Sequence, residues 1–480
     1  MKKIISMLMT ASLVLGLSVP VMAGEMEDKL VILHTNDIHG HYEKAEGQIG
    51  IAGVAALKDQ YEAQGAEVLL LDAGDFSQGT TLVNHNKGIN APEYLIAADY
   101  DAVCLGNHEF DYGNQAAKDI VSALNGGNIP VLTANILKKG TTEPFFGTNK
   151  IFEMEGVKVG VFGLDTAETQ TKAAPSSVLD MTFVDGKEMF AIAQKQVNEL
   201  KEAGCEYIIA LWHLGLVDES IGRRCIELAE AVTGIDLIID GHSHTEMDGG
   251  EIVKDTMIVS AGCYLANIGT VVVDKETKEE KAVLIGASDF AANYGVYDEA
   301  VAQMVEGDLE KVNEIYAEVF AKSEVDLNGE RDPGVRNMET NLSNLITDAY
   351  LYTAREYVKK EGMDLTVDMA VVNGGGTRAG IPAGEISRNH IFTALPNRTT
   401  VVLMTVTGEQ LLEALEASTF CTPMALGGFP QVSGMEYTLN TAIPYESGGQ
   451  YPESTYYAPA KPGSRVTIRS IDGKPFDPNA

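Results

Sequence analysis

The stretch Ala102-Val103-Cys104-Leu105-Gly106-Asn107-His108-Glu109-Phe110-Asp111 joins four apolar residues to a loop rich in amide, imidazole and carboxylate groups. A continuous apolar run bounded by a glycine is typical of a strand buried on both faces of a sheet. In α/β proteins, functional loops follow the carboxyl ends of such strands. The stretch therefore predicts a strand that ends in a functional site.

The same pattern recurs between residues 29 and 290. Four further apolar runs end in polar clusters, which are Asp37-Ile38-His39, Gly74-Asp75, His213 and Gly241-His242-Ser243-His244. Amphipathic segments at 51–64, 188–203 and 221–232 lie between the runs and are typical of helices. This alternation predicts a layered α/β domain.

Length and charge bound the possible functions. A chain of 480 residues suggests two or three domains. The net charge of −34 argues against binding to a nucleic acid polymer, because that task requires a basic surface. An acidic surface without a specific partner explains most of this charge, and we expect a monomer.

The N-terminus is typical of a secretory signal peptide. Met1-Lys2-Lys3 precedes an apolar run that ends in Val21-Met22-Ala23, and cleavage after Ala23 is expected. The alternative is an anchor that stays attached to a membrane. No later stretch reaches the roughly 18 apolar residues of a membrane span, so we expect no stable membrane insertion. These features predict a secreted, periplasmic or cell-surface protein.

The polar clusters together offer enough ligands for two metal ions. Asp37 and His39 would point to the same side in extended geometry, and the two oxygens of Asp75 could bridge two ions. Asn107 offers an amide oxygen, and the imidazoles come from His213, His242 and His244. One such histidine is more often a structural hydrogen-bonding group, but five clusters favour metal. Mixed oxygen and nitrogen ligands suit Zn, Mn, Fe or Co better than Ca or Mg.

His108 and Asp111 form a second kind of group within the same loop. A carboxylate beside an imidazole keeps the histidine charged near neutral pH, so that it can donate a proton to a leaving oxygen. The alternative is that Asp111 caps a helix beginning near residue 112. One residue could serve both purposes.

These motifs resemble a known family. Residues 30–290 resemble the calcineurin-like metallophosphoesterases in the order and spacing of their clusters, and residues 325–440 resemble the C-terminal domain of the secreted 5′-nucleotidases. The resemblance implies an α/β fold: a four-layer β-sandwich flanked by helices over 28–295, and a second α/β domain that binds substrate over 325–480. We expect a linking helix at 296–324.

The resemblance also implies roles for the clusters. One divalent ion would be held by Asp37, His39, Asp75 and His244, and the other by Asp75, Asn107, His213 and His242. His108 and Asp111 would be the catalytic dyad. The two ions are expected to be Zn, Mn or Co.

In the second domain, the loop Asn373-Gly374-Gly375-Gly376-Thr377-Arg378 lies after a predicted strand at 369–372. Guanidinium groups such as those of Arg336 and Arg378 suit phosphate. The alternative without a function is a glycine-rich turn with two surface arginines. The resemblance implies that Arg336, Asn373, Gly375 and Arg378 bind the nucleotide and that Phe429 stacks on its base. The sequence alone makes Phe429 a core or loop aromatic. Further elements are predicted at 341–360, 401–406, 408–418 and 465–471.

The expected function is hydrolysis of nucleoside 5′-monophosphates to nucleoside and phosphate by an exported two-metal phosphoesterase. Alternatives on the same centre are a 2′,3′-cyclic-nucleotide 2′-phosphodiesterase and a UDP-sugar hydrolase. A non-enzymatic nucleotide-binding surface protein is the alternative from another class. The family pattern continues beyond a position like Pro478 with a further strand and loop, so we expect a truncated second domain.

Overall fold

The computed structural model describes residues 26–216, 220, 223–397, 399–452, 454 and 456–479. The predicted signal peptide at 1–23 lies outside these residues. Among the helices that are described, none has the length and apolar character needed to cross a membrane.

Strands and helices alternate through the first half of the chain. In the described residues the strands are β1 (Lys29–Thr35), β2 (Glu67–Asp72), β3 (Ala102–Val103), β4 (Ile136–Lys138), β5 (Asn149–Met154), β6 (Val157–Asp165), β7 (Met181–Phe183), β8 (Tyr207–His213), β9 (Leu237–Ile239), β10 (Glu251–Val253), β11 (Thr256–Val259), β12 (Asn267–Asp274), β13 (Glu280–Gly286), β14 (Val319–Ser323), β15 (Ala370–Asn373), β16 (Gly384–Ser387), β17 (Pro430–Ser433), β18 (Met435–Leu439), β19 (Ser447–Gln450), β20 (Tyr457–Pro459), β21 (Val466–Ile471) and β22 (Lys474–Pro475). The helices are α1 (Ile51–Ala63), α2 (Thr81–Asn84), α3 (Ala91–Ala97), α4 (Asn114–Gly126), α5 (Thr169–Lys172), α6 (Gly186–Glu202), α7 (Cys225–Ala231), α8 (Ala287–Asn293), α9 (Glu299–Tyr316), α10 (Asn341–Lys360), α11 (Arg388–Ala394) and α12 (Gly408–Ala417).

Two sheets form the centre of the first domain. Their strand orders are β13-β12-β1-β2-β3 and β10-β11-β9-β8-β6-β5. Leu30 and Ile32 of β1 pack with Val159 and Ile209 of the other sheet in one buried cluster. The outer face of each sheet packs against helices in two further clusters. The result is the four-layer sandwich that the family resemblance implies.

Burial on both faces explains why these strands are continuously apolar. Successive residues of a strand point to opposite faces. In β1, Leu30 and Ile32 face the other sheet, whereas Val31 and Leu33 pack in the helix-covered cluster. Polar residues therefore return only where the strand leaves the sandwich.

The predicted linking helix at 296–324 is too long. Helix α9 ends at Tyr316, and strand β14 follows it and pairs with β16 of the second domain. Val301 and Val305 of α9 are buried in the core of the first domain. The periodicity of 296–324 could not show the strand, because β14 forms by pairing with a segment distant in sequence.

The second domain is built around α10, which packs against β15 and β17. A three-stranded sheet has the order β18-β21-β22, and two further strand pairs are β14-β16 and β19-β20. The strand predicted at 401–406 is wrong, since those residues form no strand in the described structure. Val402 and Met404 are 70% and 76% exposed. Apolar, β-branched composition gives strand propensity, but a strand also requires a paired neighbour.

Candidate active site

The five polar clusters meet at one edge of the sandwich. Strands β1, β2 and β3 run parallel, as do β6, β8, β9 and β11, and their carboxyl ends lie at this edge. Three overlapping groups of side chains each place their ligand atoms within 4.8 Å of one another. The groups are Asp37, His39 and His244; His39, Asp75 and His108; and Asp75, His213 and His242.

The shortest distances join residues from different sheets. His39 Nε2 lies 3.1 Å from His244 Nε2, which is 3.3 Å from Asp37 Oδ1. Asp75 Oδ2 lies 3.1 Å from His213 Nε2. Imidazoles and carboxylates this close, in a buried site, suit shared cations.

Five of these side chains leave the backbone in the left-handed region. The φ angles of Asp37, His39, Asp75, His242 and His244 are 51°, 50°, 60°, 73° and 56°. The extended geometry predicted for Asp37 and His39 is therefore wrong, although both side chains reach the same group. Left-handed backbone at non-glycine residues costs free energy and concentrates at functional sites.

Glycines make room for the ligand cluster. A Cβ on Gly106 would lie 2.3 Å from Asp75 Oδ1 and 2.7 Å from His213 Nε2. A Cβ on Gly241 would lie 2.7 Å from His213 Nδ1. The buried Oδ1 of Asn107 finds no hydrogen-bond donor among the described residues. An unpaired amide oxygen beside this cluster is what a cation site requires, so the residues fit divalent metal ions.

Glu109 fixes two of the loops relative to each other. Its fully buried carboxylate accepts hydrogen bonds from the backbone N–H groups of Asp75, Phe76, Ser77 and Gly106. The β2 and β3 loops are thereby held in one geometry. Glu109 lies within the sequence motif 106–111, but the motif alone indicates no role for it.

His108 and Asp111 form the predicted pair, with His108 Nδ1 2.7 Å from Asp111 Oδ2. Burial lowers the pKa of His108, but Asp111 and Asp75 raise it, and the net shift is upward. The capping alternative for Asp111 is wrong, because α4 begins at Asn114 with Gly113 as its N-cap.

Arginines of the second domain reach this cluster. Arg378 Nη2 lies 3.2 Å from His39 Nε2 and 3.3 Å from His108 Nε2. Burial, followed by the charges of Arg331, Arg378 and Arg336, lowers the pKa of His244 well below its usual range.

Arg331 also reaches this cluster, and the sequence did not predict it as a site residue. Its Nη2 donates to the carbonyl of Ser243 at 3.2 Å, and its buried Nη1 has no partner among the described residues. The only available signal was a basic residue five positions before Arg336 in a polar loop.

Two of the other predicted substrate residues contact the same backbone carbonyl in the second domain. Asn373 ends β15 and donates from Nδ2 to the carbonyl of Gly427, which also accepts from Gly375 N. Phe429 is only 5% exposed. This burial agrees with the interpretation, from the sequence alone, that Phe429 is a core aromatic residue.

Further contacts join the two domains around a small cavity. Gln78 donates to Asn397 at 2.6 Å, and Thr81 donates to Asn389 at 2.5 Å. The cavity has a volume of about 130 Å³ and is lined by His39, His41, Gly79, Tyr264, Arg378, Ala379 and Thr393. The imidazoles of the first domain and a guanidinium of the second thus face the same space.

Comparison with known proteins gives consistent matches. Residues 30–246 match the calcineurin-like phosphoesterase family, and residues 319–480 match the 5′-nucleotidase C-terminal domain. The chain is 30% identical to a snake venom 5′-nucleotidase from Naja atra over 450 residues, which cover 85% of this chain and 81% of that protein.

Two further matches cover the same domains. The chain is 31% identical to the trifunctional nucleotide phosphoesterase protein YfkN of Bacillus subtilis (strain 168), over 85% of this chain but 29% of that protein. A solved 5′-nucleotidase precursor from Thermus thermophilus superposes with a TM-score of 0.74 at 28% identity, covering 94% of this chain and 88% of that one.

Proposed function

Because the chain belongs to the 5′-nucleotidase family and is a metal-dependent phosphoesterase, we propose that it hydrolyses nucleoside 5′-monophosphates to nucleoside and phosphate. The observation that carries the proposal is the position of Arg378, which contacts both His39 and His108. A guanidinium group of the second domain, which is suited to phosphate, thereby lies against the candidate metal ligands of the first.

The candidate ligands divide into two sets that share Asp75. Asp37, His39 and His244 would complete one set, and Asn107, His213 and His242 the other. The donor set favours Zn, Mn or Co. When bound, two such ions polarise phosphoryl oxygens and lower the pKa of water.

His108 would supply the proton that the departing nucleoside oxygen needs. Asp111 holds His108 Nδ1, so the ring is oriented with Nε2 toward His39 and Arg378. The carboxylate also favours the charged imidazolium, which is the form that donates. Water forms the new bond to phosphorus as the bond to the nucleoside oxygen breaks, and the proton from His108 converts the departing oxygen to a hydroxyl.

Arg331, Arg336 and Arg378 would bind the phosphate and neutralise its charge. Guanidinium groups make two parallel hydrogen bonds to phosphate oxygens, which orients the group as well as attracting it. Asn373, Gly375 and Phe429 would then contact the nucleoside. Stacking on Phe429 requires its ring to be more open than the 5% exposure observed.

We also propose that the protein is exported, on the basis of the apolar segment and small residues that end at Ala23. Its site of action would then be the periplasm, the cell surface or the medium. Cell fractionation would test export, and protein confined to the cytoplasm would contradict it. N-terminal sequencing of the exported protein would test cleavage after Ala23.

Substrate profiling tests the activity. Metal-reconstituted protein should release phosphate from AMP faster than it hydrolyses UDP-glucose or 2′,3′-cyclic AMP. Asp75→Asn should abolish turnover, whereas Asp289→Asn makes the same chemical change at an exposed position and should not. A clear preference for UDP-glucose or the cyclic nucleotide would overturn the 5′-monophosphate assignment, and an active Asp75→Asn variant would overturn the metal centre.

A further inference from the structure

Glu168 is a fully buried carboxylate at the edge of the ligand cluster, in the loop after β6. Its Oε2 lies 3.1 Å from His242 Nε2. Burying a charged group is costly unless it is paired, so its partners define what it can do.

Among the described residues, the carboxylate of Glu168 also contacts cations and a hydroxyl. Lys172 Nζ lies 2.5 Å from Oε2. On the other oxygen, Ser220 Oγ donates to Oε1 at 2.9 Å, and Arg223 Nη1 lies 3.7 Å away. These partners balance the charge of Glu168 and fix its carboxylate in front of His242. Glu168 thus joins the loops that follow β6, β8 and β9.

The other candidate histidine ligands are oriented differently. His39 Nδ1 lies 2.9 Å from the carbonyl of Gln78, and His213 Nδ1 lies 2.6 Å from that of Ala73. In both, a backbone acceptor holds Nδ1, and Nε2 faces the cluster. His242 has the reverse arrangement, since Glu168 holds its Nε2.

A ring nitrogen of His242 also lies within 4.8 Å of ligand atoms of Asp75 and His213, in a group that does not contain Glu168. A carboxylate that accepts the Nε2 proton leaves the Nδ1 lone pair free for a cation, and such outer partners raise the basicity of a ligand. We propose that Glu168 is a positioning residue that fixes the tautomer and ring of His242. This inference rests on the metal centre proposed above. Glu168 would then help to determine the affinity for one of the two ions.

Calorimetric titration of the metal-free protein with Mn²⁺ tests the inference in the absence of nucleotide. Wild type should bind two ions. Glu168→Gln should weaken one binding step about 10- to 100-fold and leave the other within about threefold. Ser220→Ala removes one donor to Glu168 and should weaken the same step about two- to fivefold. This milder variant keeps the test valid if Glu168→Gln does not fold.

Glu416→Gln is the matched control. Glu416 is also fully buried and accepts backbone hydrogen bonds from Gly463, Arg465 and Val466 in the second domain. The Glu416→Gln variant should bind both ions with the affinities of the wild-type protein. Equal weakening of both steps, or no weakening, in the Glu168 and Ser220 variants would overturn the role of Glu168. A wild-type protein that bound no Mn²⁺ would instead overturn the metal centre itself.

Discussion

Replacing Gly106 with alanine would place a methyl group among the candidate metal ligands. The added Cβ would lie 2.3 Å from Asp75 Oδ1, about 1 Å short of ordinary van der Waals contact. Gly106 has φ −109° and ψ −175°, a conformation open to alanine, so the effect would come from space alone. Asp75 would have to move by roughly 1 Å, whereas metal–ligand distances tolerate only about ±0.2 Å.

We expect Gly106→Ala to weaken ion binding at the group containing Asp75 and His213. A misplacement of about 1 Å costs on the order of 10²-fold in rate, which corresponds to roughly 2.7 kcal/mol of transition-state stabilisation. The assays are Mn²⁺ titration and phosphate release from AMP at saturating metal.

Gly307→Ala is the control for this variant, because Gly307 lies within α9 and a Cβ there would have no neighbouring atom within 4 Å among the described residues outside its own helix backbone. Alanine there should stabilise the helix by roughly 0.5–1 kcal/mol without affecting metal or turnover. Wild-type metal affinity and turnover in Gly106→Ala would refute the assignment of this space to the active site.

Further predictions concern stability, pH and catalysis. Gly269→Ala would place a Cβ 2.0 Å from the ring of buried His34 and should reduce the free energy of unfolding by about 1–3 kcal/mol in urea. Burial lowers the pKa of His34 from 6.5 to about 3, so protonation favours the unfolded chain. The contribution of His34 to the free energy of unfolding is fully present above pH 6.5 and decreases as the pH falls toward 3. At pH 5 about 2 kcal/mol of it is lost. The same urea titration of His34→Leu should lack this share of the pH dependence. His108→Ala should lower kcat about 10²- to 10⁴-fold with Mn²⁺ affinity retained, and loss of the metal instead would contradict a proton-donor role. Arg331→Met should raise KM for AMP in initial-rate measurements, and an unchanged KM would exclude it from substrate binding.

The first domain could be predicted closely from local patterns. The strand boundaries near His213 and Asp75 are visible because burial on both faces leaves no polar residue until the strand ends. The candidate ligands can therefore be recognised in the sequence as the first polar residues after an apolar run. The contact between His108 and Asp111 also followed from their spacing.

What remained hidden depended on contacts distant in sequence. Arg331 lies in a polar loop without periodicity, and only the packing of one domain on the other brings it to Ser243. The proposed role of Glu168 depends on its contacts with residues of two other loops, His242 and Ser220. The left-handed backbone at His242 and His244 could not be predicted, since non-glycine residues carry no local sign of that conformation. The segment 401–406 shows the opposite failure, where local propensity was present without a pairing partner.

The division of the candidate ligands between two sheets would couple metal binding to folding. Asp37, His39, Asp75 and Asn107 follow strands of one sheet, whereas His213, His242 and His244 belong to the other. An ion bound across this boundary is bound by the folded sandwich and not by separated sheets. By mass action, free metal at 100 times its dissociation constant adds about 2.7 kcal/mol to folding for each site. Thermal resistance of the first domain should therefore follow the supply of metal in its surroundings, whereas the second domain, which holds none of these ligands, should not sense it.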